Sequence, residues 1–354
     1  MSKPFNLVIV FLLAALVLAG CINLGGTTPP ATNTTNVTPT VTPPENTTPQ
    51  KNDTTIIITP QENQTVEQNY TEPTPPPPQQ PEGLNYTYDP NANFAIYFIY
   101  VGDQANKLQG DAILIRKGDL EVLVDAGPSQ TSGNVVSFLN SRGVDDVDLL
   151  ISTNADPYHY GGIQSVTSNF GVEEFWWSGK GFNDQTYLSI VNDTSQKVKR
   201  TRIVSRGFNA TINGIKFTVL NPQEKPFNDV DNDAIALRIE DRNFSMVLLS
   251  GVLYGAQSEM LNHVKDSLKC NVMQAPFYGL GTGTSGIQNF LTSTKPGAVV
   301  ISGGPDESAV SGGSRDPFRK LLKLYNITYY ENYAGGTVRV SSDGKDYSVG
   351  YFNP

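Results

Sequence analysis

The chain has 354 residues, a formal net charge of -9 and a composition that is 38% hydrophobic and 17% charged. Its Lys and Arg residues form no cluster along the sequence, which argues against a protein that grips nucleic acid through a basic surface. The roughly 260 residues that follow position 92 are enough for one large domain with a substantial hydrophobic core.

The first twenty residues have the features of a secretory signal. Lys3 precedes an apolar run at residues 5–18, which is shorter than a membrane-spanning helix requires. Residues 18–21 read Leu-Ala-Gly-Cys, and this segment resembles the cleavage box of prokaryotic lipoproteins. We predict cleavage before Cys21, lipid attachment to its sulfur, and display on the outside of the cell membrane. An uncleaved N-terminal anchor is the alternative.

Lipidation of Cys21 would leave Cys270 as the only other cysteine, so we expect no intramolecular disulfide. Cys270 falls in an apolar, strand-like pattern and is predicted to be a small buried residue.

Residues 21–90 are predicted to form a disordered tether. They are mostly Thr, Pro, Asn and Gln, with four consecutive prolines at residues 75–78, and cannot bury enough apolar surface to offset the entropy of ordering. Seven acidic residues and one lysine in this segment carry most of the net charge, so the domain itself is only mildly acidic. The segment suits a glycosylated stalk of archaeal type, with Asn-x-Thr sequons at Asn33, Asn36, Asn46, Asn52, Asn63, Asn69 and Asn85.

The domain, residues 91–354, begins with a strand-rich region. Apolar and β-branched runs predict three strands, and a glycine-containing turn at residues 117–119 predicts a hairpin between the second and third. A helix with one apolar face follows, and Gly143 is its stop signal. The predicted strands cover residues 94–101, 111–116 and 120–125, and the helix covers residues 131–141.

The next segment, residues 147–162, is predicted to present a site. It opens with a buried strand at residues 147–151 and ends in the pair Gly161-Gly162. Between them, four polar side chains follow the carboxyl end of the strand: Asn154, Asp156, Tyr158 and His159.

The remainder of the chain repeats this alternation of strands and helices. We expect a helix after Gly162, and one of the adjacent residues Trp176 and Trp177 to point inward and the other outward. The predicted strands are residues 172–177, 201–204, 210–212, 216–220, 234–239, 244–249, 328–330, 336–340 and 347–351, with helices at 185–197 and 256–264 and one ending near 325.

The loop after residue 151 resembles the metal-binding loop of the metallo-β-lactamase superfamily, Thr-His-x-His-x-Asp-His-x-Gly-Gly, which holds up to two ions above a sheet edge. The first third of the domain is similar to ComEC-type DNA-uptake proteins in its segments Val101-Gly102, residues 110–115 (Gly-Asp-Ala-Ile-Leu-Ile) and residues 123–127 (Leu-Val-Asp-Ala-Gly). The resemblance implies a four-layer αββα sandwich of the α/β (α+β) class, and metal-dependent hydrolysis, often of nucleic-acid phosphodiesters.

Most of the family's metal ligands are replaced. Asn154 and Asp156 stand at the first two histidine positions and Tyr158 at the aspartate position, so only His159 matches. An amide and a phenol are poor substitutes for imidazole and carboxylate. Elsewhere, Val252 occupies the place of the bridging aspartate and Phe277-Tyr278 that of two histidines, and residues 315–317 offer no histidine where the family has its last one.

Asp125 is predicted to end a strand and to brace the loop through hydrogen bonds, with an ordinary turn aspartate as the alternative. We expect Tyr158, Tyr160, Phe277 and Tyr278 to fill the former metal cleft, although such a cleft could also bind an apolar or sugar-like ligand.

These departures predict a pseudoenzyme with a ligand-binding or scaffolding role, with no catalytic residue and no cofactor. One alternative is a hydrolase that uses a single divalent ion held by Asp156, His159 and Asn154. Another is a purely structural envelope component. The expected partners are the membrane, through Cys21, and an envelope protein or a small ligand; nucleic acid as a partner follows only from the family resemblance.

Overall fold

The structure, a computed structural model, describes residues 84–103, 105–280, 284–304 and 314–352, without the side chains of residues 284 and 285. The predicted signal, the lipidation site Cys21 and the tether up to residue 83 lie outside the described residues. Within the described part, every helix is too short or too polar to cross a membrane.

Within the described residues, fifteen strands form two sheets. In chain order they are β1 (Phe94–Phe98), β2 (Ile113–Lys117), β3 (Leu120–Val124), β4 (Asp146–Ser152), β5 (Gly171–Trp177), β6 (Arg200–Ile203), β7 (Asn209–Ile212), β8 (Ile215–Asn221), β9 (Ala236–Asp241), β10 (Phe244–Leu248), β11 (Val272–Gln274), β12 (Ala298–Ile301), β13 (Thr328–Glu331), β14 (Val338–Ser342) and β15 (Tyr347–Tyr351). The first sheet has the order β15-β14-β1-β2-β3-β4-β5-β6, and the second β13-β12-β11-β10-β9-β8-β7.

Eight α-helices are described: α1 (Ser132–Ser141), α2 (Pro157–Tyr160), α3 (Ile163–Asn169), α4 (Gln185–Lys197), α5 (Tyr254–His263), α6 (Thr284–Thr294), α7 (Asp316–Leu324) and α8 (Asn332–Gly335). Single 3-10 turns lie at Ser129–Thr131, Lys265–Leu268 and Pro276–Gly279.

The apolar residues separate into three large clusters that define four layers. The largest lies between the two sheets, where side chains such as Ile96 and Leu149 meet side chains such as Phe217 and Ile239. A second cluster packs α1, α3 and α4 on the first sheet, and a third packs α5, α6 and α7 on the second sheet. Helices therefore cover the outer face of each sheet, and the predicted αββα sandwich is confirmed.

The site lies at the carboxyl ends of parallel strands, four in each sheet. In the first sheet β3, β4, β5 and β6 run parallel, and in the second sheet β10 to β13 do. Loops that leave the carboxyl ends of such strands meet at one edge of the sheet, which is where α/β proteins collect functional groups.

Several details differ from the sequence-based expectations. The inter-sheet core includes Leu84 and Tyr86, so packed structure begins before the predicted boundary at residue 91. Cys270 lies in the loop before β11 and is half-buried. Trp176 is buried between the sheets, and Trp177 points to the opposite face of the first sheet, where it packs beneath α4 with its ring 6.2 Å from that of Tyr187.

A buried ion pair joins the two sheets. Lys117 at the end of β2 places its Nζ atom 2.6 Å from Oδ1 of Asp241 at the end of β9, and the two side chains are 1% and 0% exposed. The amide of Asn213 donates to the carbonyl of Lys117 at 2.8 Å. The ion pair crosses the interior of the sandwich and holds the end of β2 in the first sheet against the end of β9 in the second.

Candidate functional site

The loop after β4 is held against two neighbouring segments by backbone hydrogen bonds. The carbonyl of Tyr158 accepts from the N–H of Asp111, and the carbonyl of His159 accepts from the N–H of Ala126. Gly162 packs so closely on this segment that a Cβ atom there would lie 2.1 Å from the carbonyl oxygen of Ala126. The glycine is therefore required by space, and it allows the chain to carry His159 into the interior.

His159 is the centre of the site and is 1% exposed. Its Nδ1 atom lies 2.8 Å from Oδ2 of Asp125, and its Nε2 atom lies 2.6 Å from the hydroxyl of Tyr278. Oδ2 of Asp111 and Oγ of Ser250 are also near Nδ1, at 3.8 and 3.5 Å. Both ring nitrogens are thus paired with protein groups.

Asp125 braces the site from the end of β3. Its Oδ1 atom accepts from the N–H of Thr153 at 2.8 Å, and its Oδ2 atom accepts from the Thr153 hydroxyl as well as pairing with His159. The Thr153 hydroxyl is also 2.6 Å from that of Ser250, which links the first sheet to the second. The role predicted for Asp125 thus corresponds to three hydrogen bonds rather than to a turn.

Gln274, at the end of β11, connects the remaining polar groups. Its amide nitrogen donates to Asp111 at 3.0 Å and to the Ser302 hydroxyl at 3.2 Å, while its oxygen accepts from the N–H groups of Leu249 and Ser250. Among the described residues, Oδ1 of Asp111 has no hydrogen-bond partner.

Tyr278 enters the site on a strained backbone. Phe277 and Tyr278 have φ values of 45° and 56°, in the left-handed region that large side chains rarely adopt. The N–H of Phe277 donates to the Ser250 carbonyl at 2.8 Å, and the fully buried guanidinium of Arg315 donates to the Tyr278 carbonyl at 2.7 Å. Arg315 therefore reaches the site from the position where the sequence resemblance places a histidine.

The carboxylates around His159 decide its charge. Burial by itself lowers the pKa of His159, but Asp125, Asp111 and Asp156 outweigh this effect and raise the pKa to about 9. Burial raises the pKa of Asp111 to about 6, and burial together with nearby carboxylates raises that of Tyr278 well above its ordinary value. At neutral pH His159 is therefore an imidazolium that donates to Asp125 and to the neutral hydroxyl of Tyr278.

We expect the free energy of unfolding to decrease as the pH rises from 6.5 to 9 because of His159. Folding raises its pKa from 6.5 to about 9, so this stabilisation is complete below pH 6.5 and is lost as the pH passes 9. The difference corresponds to on the order of 3 kcal/mol. Urea unfolding across this range should show the decrease in the wild type and not in His159→Gln.

His263→Gln is the matched control for this pH dependence, since His263 is 57% exposed and pairs with Glu259 on the surface of α5. It should keep the wild-type pH profile. Parallel profiles for the wild type and His159→Gln would show that His159 is not held as a cation.

Three other predicted site residues, Asn154, Asp156 and Val252, form their described contacts with groups other than His159. Asn154 is buried and donates to Asp231 at 3.2 Å, with its own carbonyl oxygen unpaired among the described residues. The carboxylate of Asp156 caps α2 by accepting from the N–H of Tyr158 at 2.9 Å. Val252 is fully buried among the apolar side chains beneath α5.

Of the four aromatic residues predicted to fill the cleft, two lie in it and two do not. Tyr278 occupies it, and Phe277 packs beside Tyr278 with its ring centre 5.9 Å away. Tyr160 turns away instead, because its hydroxyl donates to Asp184 at 2.8 Å and its ring stacks on Tyr187. Tyr158 is half-buried, and its carbonyl supports Asp111.

The arrangement does not fit a catalytic metal ion. Asp111, Asp125 and His159 offer donor atoms that all lie within 4.8 Å of one another, so the group is compact enough to hold a cation. However, both nitrogens of His159 and both oxygens of Asp125 already have hydrogen-bond partners, so an ion would have to displace these contacts to bind. The predicted trio of Asp156, His159 and Asn154 shares only His159 with this group.

Sequence reasoning missed four members of the network: Asp111, Thr153 and Ser250, which contact His159 or Asp125, and Gln274, which bonds Asp111. Asp111 had a signal, because it belongs to the Gly-Asp-Ala segment that carries the ComEC resemblance. The other three had none, since a lone Thr, Ser or Gln at a strand end does not indicate what it will contact.

Residues 105–198 match the family model of the metallo-beta-lactamase superfamily. The chain is 24% identical over 212 residues to ComE operon protein 3 of Bacillus subtilis (strain 168), with 58% of this chain and 26% of that protein covered. It is 22% identical over 203 residues to Competence protein ComA of Neisseria gonorrhoeae, with 55% and 26% covered. The chain thus spans about a quarter of the length of these relatives.

Solved structures with similar folds include two proteins of low sequence identity. The metallo-beta-lactamase fold protein YhfI of Bacillus subtilis is 11% identical, with a TM-score of 0.46 and coverage of 70% of this chain and 99% of that one. The metal-dependent hydrolase Tm1679 is 12% identical, with a TM-score of 0.49 and coverage of 70% and 100%.

Proposed function

We propose that this chain, which carries a metallo-beta-lactamase superfamily domain related to ComE operon protein 3 and Competence protein ComA, is a pseudoenzyme with a binding or scaffolding role at the cell surface. Its former reaction centre is a closed hydrogen-bonded core. The domain retains the layered fold, and hydrogen bonds at the position of the family's metal site connect its two sheets.

The observation that carries this proposal is the contact between Tyr278 and His159. The Tyr278 hydroxyl lies 2.6 Å from Nε2 of His159, and both side chains are 1% exposed. A metal-bound water that attacks a substrate needs an open coordination position with access to solvent. A buried phenol occupies that space here.

The chemistry of the replaced ligands supports the same conclusion. Hydrolysis in this family needs imidazoles and carboxylates to lower the pKa of bound water, and this chain offers Asn154 and Tyr158 in the loop and Val252 after β10. The one remaining imidazole, that of His159, is engaged on both sides.

The surface location in this proposal rests on the sequence. The lipoprotein-like segment at residues 18–21 and the tether that follows would anchor the domain outside the membrane through a lipid on Cys21. One of the two relatives is named a competence protein, which supports a role in the cell envelope. The proposed partner is another envelope protein or a small ligand. Crosslinking in intact cells and recovery of one stable protein partner would support scaffolding.

A second candidate is a hydrolase that uses one divalent ion, and one observation favours it. Asp111, Asp125 and His159 lie close enough to share a cation, and Oδ1 of Asp111 has no partner among the described residues. This function would require Tyr278 to withdraw from His159 and His159 to lose a proton.

Metal content and phosphodiesterase activity separate the two candidates. We expect protein purified without chelators to contain less than stoichiometric zinc, manganese or iron by mass spectrometry. Turnover of bis(p-nitrophenyl) phosphate in added Mn²⁺ should be the same for the wild type and His159→Ala, because no residue of the network can activate water.

The control for that assay is His263→Ala, which removes the other histidine of the chain from an exposed position. Stoichiometric metal combined with turnover that falls in His159→Ala and not in His263→Ala would refute the pseudoenzyme and establish the hydrolase.

A further inference from the structure

A second group of carboxylates lies at the end of the sandwich where β3 and β4 begin, the opposite end of these strands from His159. Glu121 is in β3, and Asp146 and Asp148 are two residues apart in β4, where alternation places them on one face. Oxygens of the three carboxyl groups all lie within 4.8 Å of one another. Glu121 and Asp148 are 2% and 1% exposed, while Asp146 is half-buried.

Two of the buried oxygens lack partners. Oε1 of Glu121 pairs with Arg116 at 2.6 Å, and Oδ2 of Asp148 accepts from the N–H of Glu121 at 2.8 Å. Oε2 of Glu121 and Oδ1 of Asp148 have no hydrogen-bond partner among the described residues. Buried carboxylate oxygens are normally paired with a donor or a cation, so two unpaired ones in the same small group need an explanation.

Further acidic groups surround this place. Asp119 accepts from the N–H and hydroxyl of Thr87, and Glu173 accepts from the N–H of Asn85 and from Lys199. Both carboxylates act electrostatically on Asp148. Arg116 engages only one oxygen of Glu121. Burial, together with neighbouring carboxylates, raises the pKa of both Glu121 and Asp148 to about 7, and a bound cation would favour their ionised forms at neutral pH.

We propose that Glu121, Asp146 and Asp148 bind a divalent cation, and that the ion is Ca²⁺. Carboxylate and water oxygens are the ligands of hard cations, and Ca²⁺ accepts an irregular set of six to eight oxygens. The half-buried Asp146 leaves the group open to solvent, so water can complete the coordination. This site is separate from the His159 network and does not depend on the function proposed for the domain.

A cation at this site would also stabilise the position of the first described residues, around Asn85 and Thr87. Asn85 and Thr87 are held by Glu173 and Asp119, which belong to the same acidic surroundings. A bound cation would lower the repulsion between these carboxylates and so stabilise the segment that leads from the predicted tether into β1.

The test is a calorimetric titration of the full chain with CaCl2 after treatment with EDTA, together with thermal unfolding. We expect one site with a Kd of about 10⁻⁴–10⁻³ M, in the range of extracellular calcium modules. The Tm should rise by about 5 °C when Ca²⁺ is present at roughly one hundred times the Kd.

Asp148→Asn should raise the Kd at least about tenfold, because it removes a charged ligand while keeping the shape of the side chain. Asp146→Asn, at the half-buried position, should raise the Kd to a similar extent. It provides the test of the site if Asp148→Asn fails to fold. Two controls should bind Ca²⁺ like the wild type: Asp266→Asn, whose side chain is 96% exposed, and Asp111→Asn in the other acidic group.

Three results would overturn the proposal. One is the absence of both binding heat and a Tm shift, which would mean that Glu121 and Asp148 share a proton instead. Another is unchanged affinity in both Asp146→Asn and Asp148→Asn. The third is loss of binding in Asp111→Asn alone, which would assign the ion to the group around His159.

Discussion

Lys117→Met is expected to lower the free energy of unfolding by about 3–5 kcal/mol, because it leaves Asp241 charged and buried without its main partner. The Nζ–Oδ1 distance is 2.6 Å, and neither side chain is more than 1% exposed. Arg242 also contacts Asp241 at 2.8 Å, but its side chain is 38% exposed and holds the outer oxygen only. Urea unfolding followed by circular dichroism measures the loss.

A neighbouring surface pair supplies the matched control. Lys216 in β8 lies 3.5 Å from Glu240 in β9, and its side chain is 55% exposed. Lys216→Met should cost less than about 1 kcal/mol, since water screens exposed ion pairs. The double variant Lys117→Met with Asp241→Leu should recover much of the loss, because no buried charge remains. Equal losses in the free energy of unfolding for Lys117→Met and Lys216→Met would show that the Lys117–Asp241 pair is not buried as described.

Asp125→Ala is expected to lower the free energy of unfolding by about 3–5 kcal/mol, because it removes three hydrogen bonds at once and deprives the imidazolium of His159 of its nearest counter-charge. Asp125 also has a φ of 58°, a conformation that aspartate tolerates better than alanine. Loss of stability should therefore accompany a lower pKa of His159, which NMR titration of the imidazole measures directly.

Asp156→Ala is the control within the same loop. The carboxylate of Asp156 makes one hydrogen bond, the cap of α2, and the expected cost is about 1 kcal/mol. In a metal-binding loop Asp156 would be a ligand and Asp125 a support, so the comparison bears on function. A larger loss in Asp156→Ala than in Asp125→Ala would show that the described network is not what holds the site.

The local pattern of the sequence was sufficient for most elements of the fold. The helix predicted at residues 185–197 is α4 within the same bounds, and the glycine turn at residues 117–119 joins β2 to β3 as a hairpin. The strand before the site loop extends one residue further at each end than predicted. Such features depend on periodicity, capping and turn residues that lie next to one another in the chain.

The predicted site was incomplete because its contacts are distant in sequence. Tyr278 and His159 are 119 residues apart, and the strained backbone at Phe277 and Tyr278 aims the phenol at the imidazole. The sequence placed an aromatic residue near the cleft, yet it could not distinguish Tyr278, which enters, from Tyr160, which bonds Asp184 instead.

The sequence by itself determined the α/β class and the position of the site loop, because short runs of residues carry both, and its family resemblance predicted the layered sandwich. Only the tertiary structure decided that His159 is paired on both sides, that Lys117 meets Asp241 across 124 residues, and that Glu121 and Asp148 have unpaired oxygens. The physical reason is that hydrogen bonding, burial and charge depend on which strand ends meet in space, and the register of two packed sheets sets those meetings.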